Sequence, residues 1–316
     1  MQVDFFNGDA DGIISLHQFR MLVPTDSVKF TGVKRDVDLL RYVDIRNIDS
    51  KLLTVFDISI KSNHQYILSA LQRHNHIRWF DHHDPGDGTY TEDFKPVVDT
   101  SPDVCTSIVV QRHLNHDFDA WTVAAAYGDN LDTQAKKLGK QFDAKQHRWL
   151  KKLGTTINYN AYGRTEQDLV AHPLDVFNDL HEYADPFDYM DKSKLFKKIH
   201  RQRNADHKQL KSSEKIFQSE VGDVVVLPDS IASIRCSGLY SNELVTKNPE
   251  KAFAILTVVP HGYRVSIRAS QINPVGADQL ASQFETGGGR QRAAGINFLP
   301  ADQIGKFTKL FEIQFG

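Results

Sequence analysis

The chain has 316 residues, 40% of them hydrophobic and 25% charged, with a formal net charge of −2. That length fits about two domains, each long enough to bury a core. The balance excludes an overall field that would draw in a long polyanion, and no apolar run approaches the ~20 residues of a membrane span.

The amino terminus, Met1-Gln2-Val3-Asp4, lacks the layout of a signal peptide. Cys105 and Cys236 lie far apart and form no ligand pair, so both are expected to be reduced in a cytoplasmic protein. In chain order, the first part alternates short apolar strands with amphipathic segments. Strands are predicted at 3–6, 28–31, 52–56, 77–80 and 96–98. Ile13, Leu16, His17, Arg20 and Met21 fall at helical spacing after Asp11. Tyr66, Ile67, Ala70 and Leu71 do so after Asp57, with Ser62 as the expected N-cap. This alternation predicts a largely parallel sheet with helices on both faces, whose ligands sit beyond the carboxyl ends of its strands.

From about Asp103 to Gly154 the pattern is mostly helical, with an interruption at Gly128-Asp129. From Pro173 to Ser219 it is helical again, and the Lys/Arg-rich stretch 192–215 reads as a solvated connecting helix. Near Gly222 the composition shifts. Strands are predicted at 224–227, 252–259 and 263–267, with Gly262 in the turn between the last two, then a helix over 277–284. The expected architecture is α/β: a parallel-sheet amino-terminal domain over 1–190, a helical linker over 191–219 and a smaller α/β domain over 220–316.

Three predicted strands run into metal-ligand residues. Val3-Asp4-Phe5-Phe6 leads to Asn7-Gly8-Asp9-Ala10-Asp11-Gly12, Leu52–Phe56 leads to Asp57, and Ile77–Phe80 leads to Asp81-His82-His83 and the loop Asp84-Pro85-Gly86-Asp87-Gly88. Carboxylates are hard ligands, imidazole shifts the preference toward Mn²⁺, Fe²⁺ or Zn²⁺, and a mixed Asp/His set without thiolates favours Mn²⁺. Two ions ~3.5–4 Å apart, bridged by a carboxylate, are a common device for phosphoester hydrolysis, and Asp57 is the candidate bridge. Each piece alone has a plainer reading: Asp9–Gly12 as a capping loop, Asp57 as a helix cap, the His pair as structural. Their recurrence at three strand ends is what favours a metal centre. Thr106-Ser107 open an apolar helix whose amino terminus is a candidate anion site, although capping alone is the favoured explanation.

Asp9-x-Asp11, Asp57 and Asp81-His82-His83 resemble the first three motifs of the DHH phosphoesterase superfamily, named for that tripeptide. Asp129 matches its fourth motif, an Asp in the helical half, with Asp132 as the alternative. Gly287-Gly288-Gly289-Arg290-x-x-Ala293-Ala294-Gly295 resembles the glycine-rich motif of the DHH-associated substrate domain, and Tyr263–Arg268 the strand before it. The resemblance covers nearly the whole chain. It implies two Mn²⁺ ions, with Asp9 on the first, Asp57 bridging, and Asp11, His82 and Asp129 on the second. It further implies His83 at the scissile phosphate or orienting the water, and Asp81 fixing a histidine from behind. Ser266, Arg268, Gly287, Gly288, Gly289 and Arg290 are the residues it implies for substrate binding. Closure of the two domains would then make 192–215 a hinge.

Two positions depart from the family pattern. Many oligoribonuclease-type members carry a His four residues before the Asp-x-Asp pair, where this chain has Phe5, so an imidazole ligand to the first ion is missing. The glycine-rich motif usually ends in His, where this chain has Arg290, which binds phosphate or guanine edges but cannot act as a base near neutral pH. The leading expectation is a Mn²⁺-dependent phosphodiesterase that splits linear dinucleotides such as pGpG or pApA into mononucleotides. Three alternatives stand beside it: a RecJ-like single-strand exonuclease, a hydrolase of cyclic dinucleotides, pAp-type nucleotides or polyphosphate, and a non-catalytic nucleotide sensor. Its expected partners are short nucleic acid and a second copy in a homodimer, with no membrane.

Overall fold

Val3 and Phe5 face one side of the first strand while Asp4 and Phe6 face the other, and all four are buried. A strand covered on both faces belongs inside a parallel sheet. In the computed structural model, which describes residues 2–87, 91–117 and 119–315, that sheet has five strands. Gly88, the last residue of the predicted loop after Asp81-His82-His83, lies outside the described residues. The strands are β1 (Gln2–Phe6), β2 (Ser27–Phe30), β3 (Leu52–Phe56), β4 (His76–Asp81) and β5 (Phe94–Val98). All pair in parallel, in the order β2-β1-β3-β4-β5.

Helices follow between and after the strands: α1 (Ala10–Leu22), α2 (Arg41–Ile45), α3 (Ile60–Gln72), α4 (Thr106–His113), α5 (Ala120–Gly128), α6 (Asp132–Leu138), α7 (Ala144–Asn160), α8 (Pro173–His181), α9 (Pro186–Lys192) and α10 (Lys194–Leu210). One sheet face packs Val3, Phe5, Leu53, Val55, Ile77 and Trp79 against Val43, Ile60, Ile67 and Ala70 of α2 and α3. On the other, Phe19 of α1 meets Phe56 and Phe80, each ring pair 5.4 Å apart. α1 is buried on all sides from Ala10 to Arg20, between the sheet and α4, α5, α7 and α8. Ser59, rather than Ser62, caps α3: its hydroxyl accepts from the Ser62 amide, because a cap bonds the N–H three residues ahead.

His17 of α1 is fully buried, with Nδ1 3.0 Å from His181 Nδ1 and no partner for Nε2. Burial, and then the neighbouring His181, hold its pKa down at about 3 against an ordinary 6.5. The folded chain refuses a proton that the unfolded chain accepts, so this site costs stability as pH falls from 6.5 toward 3. His17→Gln is expected to flatten the acid limb of the stability curve by up to ~1.4 kcal/mol per pH unit. Chemical denaturation at a series of pH values checks this; parallel limbs for variant and wild type would refute it.

The chain divides into two compact units, Met1–Gln202 and Arg203–Gly316. The second contains β6 (Glu214–Gln218), β7 (Gly222–Leu227), α11 (Ile231–Lys247), β8 (Ala252–Val259), β9 (Gly262–Arg268), α12 (Ala277–Ala281), β10 (Gly287–Arg290), β11 (Ala293–Pro300) and α13 (Ile304–Phe315). Its six-stranded sheet has the order β10-β11-β9-β8-β7-β6, and β7 and β8, joined through α11, are the parallel pair. The α/β architecture expected from the sequence is thus the one observed, with local differences. The segment 214–218 is a strand instead of the end of a helix, because Ile216 and Phe217 pack on the core while Glu214, Lys215, Phe217 and Gln218 pair with β7. Gly262 begins β9, and the turn falls on Pro260-His261, where His261 takes the positive φ of 64°. The helix predicted over 277–284 stops at Ala281.

Candidate metal centre

The strand order sets β1, β3 and β4 side by side, so their carboxyl ends are neighbours. Asp9 is the N-cap of α1 and Asp11 lies in its first turn. Asp57 follows β3 in a left-handed conformation, φ 58°, which few non-glycine residues adopt outside Asn and Asp. Asp81 closes β4, and His82 and His83 follow it. Asp129 comes from the helical layer, as the C-cap of α5.

Hydrogen bonds fix each group. The Asp11 carboxylate accepts from the Thr106 and Ser107 amides at 2.6 and 2.8 Å, so the anion at the amino terminus of α4 is a side chain of this site. The Thr106 hydroxyl donates to Asp57 Oδ1 at 3.0 Å. His82 Nδ1 donates to the Val104 carbonyl at 2.8 Å, which leaves its Nε2 lone pair facing Asp57 Oδ1 and Asp129 Oδ2, each 3.5 Å away. Asp81 is fully buried; its Oδ1 accepts from the His82 amide at 2.8 Å and from His83 Nδ1 at 2.7 Å, turning His83 Nε2 outward. Among the described residues, two groups of ligand atoms are close enough to hold an ion: Asp57, His82 and His83, and Asp11, His82 and Asp129. The Asp/His donor set fits a divalent transition ion such as Mn²⁺. Asp132 is instead paired with Lys151.

Crowded carboxylates set the electrostatics. Burial, then Asp129, raise the Asp11 carboxyl to about 6, with His82 pulling against them. Burial and the surrounding Asp9, Asp11, Asp129 and Asp81 hold Asp57 well above the usual carboxylate range. Such repulsion is what a bound cation relieves. His83 is raised despite its burial, because Asp81 bonds and attracts the charged ring.

One cation at this edge is missing from the sequence-based set. Lys34, in the loop after β2, pairs with Asp9, stands 3.7 Å from Asp129 Oδ1, and donates to Asn158 Oδ1 at 3.4 Å. Burial works against its charge, but Asp9, Tyr162, Asp129 and Asp57 outweigh it and hold the ammonium well above its usual range. Burial also pushes Asp9 upward, and Lys34 reverses the sign, leaving Asp9 below the ordinary value. Gly8 lets the two loops meet: a Cβ there would lie 2.0 Å from the Gly32 carbonyl. The signal was present in the sequence, since Lys34 follows a predicted strand whose carboxyl end faces the same edge. Phe5 is fully buried instead, stacked on Phe30 at 5.2 Å.

In the second unit, the glycine triplet is an edge strand, β10, and not a loop. Gly287 and Gly289 serve packing, since a Cβ would fall 1.8 Å from the Ala281 carbonyl and 2.5 Å from Ala294 Cα, while Gly288 faces open space. Cross-strand register aligns Arg290, Ala293 and Arg268 in one row, and Gly288, Gly295 and Ser266 in the next. Directly opposed residues share a face, so Arg268, Ser266, Gly288 and Arg290 lie on the same side of the sheet. Arg268 bonds Asn242 of α11 and Ser266, both at 3.0 Å. Arg290 is exposed.

The fold is that of solved DHH-domain proteins. A DHH domain described as a member of the s1p family of ribosomal proteins superposes with a TM-score of 0.61 at 13% identity, over 98% of this chain and 85% of its own. An exonuclease RecJ bound to manganese gives 0.56 at 14%, over 98% and 89%. The pGpG-specific phosphodiesterase PggH from Vibrio cholerae gives 0.54 at 11%, over 100% and 99%. The likeness is one of fold. No protein-family model matches the chain, and no curated protein matches it in sequence. Among the described residues, no helix is long and apolar enough to cross a membrane.

Proposed function

We propose that this chain is a metal-dependent phosphodiesterase that hydrolyses short nucleic acid, linear dinucleotides above all, to mononucleotides, with Mn²⁺ as its working ion. The observation that carries the reading is His82 Nε2 standing 3.5 Å from both Asp57 and Asp129, with Asp11 in ligand reach of His82 and Asp129, at the carboxyl edge of the parallel sheet. Those four side chains would hold the ion, which when bound polarises a phosphoryl oxygen and acidifies a water. His82 presents Nε2 because Val104 takes the proton of Nδ1. His83, oriented by Asp81, directs Nε2–H at a phosphoryl oxygen of the scissile group. On the second unit, Arg268, Arg290 and Ser266, with the open backbone at Gly288, would grip a terminal phosphate or base.

The near-neutral net charge, −2, favours a small substrate over a long strand. Two proteins alike in fold, one described as a pGpG-specific phosphodiesterase and one as an exonuclease, support a phosphodiester substrate. The test is a Mn²⁺-supplemented panel of linear and cyclic dinucleotides, longer oligomers, pAp and polyphosphate. Fastest turnover of linear dinucleotides is expected; turnover of none of them would overturn the reading. Asp81→Asn should lower kcat ~10–100-fold, the usual cost of losing an outer partner of a metal-site histidine. Steady-state rates on the preferred dinucleotide decide, and an unchanged kcat would remove Asp81 from its role.

A further inference from the structure

We infer that the centre takes a single divalent ion and that the Lys34 ammonium stands where a second ion would bind. The inference rests on the metal-centre reading above and narrows it. Both Asp9 oxygens are already engaged: Oδ1 accepts from the Gly12 amide at 3.0 Å, and Oδ2 pairs with Lys34. Asp9 is 1% exposed, so it has little room to turn toward another partner. The ammonium also faces Asp129 and Asn158 and lies 6.0 Å from the centre of the Tyr162 ring. A cation ringed by two carboxylates and an amide oxygen has the surroundings of a metal ion.

The ligand groups agree. Among the described residues, both groups able to hold an ion share His82, and neither contains Asp9. His82 has one ring nitrogen to give, because the other is bonded to Val104. A single lone pair serves one ion, so the two groups cannot both be filled as they stand. The main chain keeps the lysine in place, with the Lys34 amide donating to the Ala161 carbonyl at 2.9 Å. Phe5, on the strand that leads to Asp9, packs in the apolar core against Phe30 and offers no ligand to this edge. The ammonium is thus a fixed charge in place of a bound one. Asp9 becomes a positioning residue that caps α1 and anchors Lys34.

The test uses the full chain, stripped of metal with a chelator and titrated with MnCl₂. Calorimetry should give one equivalent per chain, and electron paramagnetic resonance should show the resolved hyperfine lines of an isolated Mn(II). Lys34→Met, which keeps the length and removes the charge, should admit a second equivalent and broaden the spectrum through coupling between ions. Asp9→Asn should retain the single equivalent with an affinity within a few-fold of wild type. That arm needs no tolerance of the Lys34 change. Two coupled equivalents in the wild type, one equivalent in a folded Lys34→Met, or loss of the equivalent in Asp9→Asn would each overturn the inference. One bound ion with no turnover on any substrate would sink the phosphodiesterase reading and leave this one standing; two ions with turnover would do the reverse.

Discussion

Asp57→Asn is expected to abolish Mn²⁺-supported hydrolysis while raising the thermal midpoint of the metal-free protein. The activity loss should exceed the ~100-fold ceiling typical of outer partners, because Asp57 contacts both His82 and Thr106 at the point where the ligand groups meet. Asparagine keeps the shape, accepts the same Thr106 hydrogen bond and tolerates the left-handed backbone, so the variant isolates the charge. The stability gain follows from sign. Burial and four neighbouring aspartates hold the Asp57 carboxyl above its ordinary 3.8. The folded chain therefore keeps a proton that the unfolded chain surrenders, and this group costs stability as pH rises from about 4 through its folded value. Asparagine has no such cost, and the benefit belongs to the chelated protein, since a bound cation already relieves the repulsion in the loaded one. Calorimetry in EDTA and rates in Mn²⁺ measure the two halves. Near-wild-type turnover would show that Asp57 is no ligand; an unchanged apo midpoint at neutral pH would show that the carboxylates do not repel as argued.

The strands of the first sheet were legible because each is an apolar run with a polar or glycine-containing boundary. Three of their ends carry Asp or His, and it is their recurrence at neighbouring strand ends that marks the site. What the sequence concealed was pairing across long separations. Nothing local marks Thr106 and Ser107 as the donors to Asp11, 95 and 96 positions away. The helix-terminus signal is visible in the sequence and reads as capping alone; that its anion is Asp11 is not visible. Lys34 was overlooked for a related reason: a lysine in a surface-like loop reads as solvated, and only the β2–β1 pairing carries it to Asp9.

The second unit was harder to read. β6 sits in a Lys/Arg-rich stretch that reads as helix, and only its pairing with β7 makes it a strand. α11 has no strongly sided pattern because it packs on the central strands β8 and β9 largely through small side chains, Ala232, Ser233, Cys236 and Ser241, while much of its length is partly exposed. The glycine triplet was noticed for its lack of Cβ atoms, and the physical reason differs along it. Gly287 and Gly289 are required by packing against Ala281 and Ala294, and Gly288 alone leaves the face open. Composition shows that a backbone needs to be approached closely, but not by what.

Arg20→Met is expected to destabilise the fold by ~3–5 kcal/mol, the cost of leaving a buried charge without its partner. Arg20 falls at the helical spacing of the apolar face of α1, where a charge is costly unless it is paired. Its Nε donates to Asp4 Oδ2 at 2.9 Å and its Nη2 to Asp4 Oδ1 at 2.5 Å, a two-point grip with the side chains 3% and 0% exposed. Further bonds run to the Gln2 side chain at 3.1 Å and the Val23 carbonyl at 3.2 Å, while the Ser27 hydroxyl donates to Asp4 at 2.6 Å. One ion pair thus ties β1, β2 and the end of α1 together behind the strand end that presents Asp9 and Asp11. Methionine keeps most of the volume but strands Asp4 in an apolar layer beside Phe19. The double variant Asp4→Leu/Arg20→Met should recover much of the loss, because it removes both buried charges at once. Denaturant midpoints for the two singles and the double form a mutant cycle whose coupling should be strongly favourable for the native pair. Turnover per folded molecule should stay near wild type in all three, since the pair lies on the first strand upstream of the metal-binding residues. Additive losses in the cycle would mean that the two side chains contribute through packing, and not through their charge pairing.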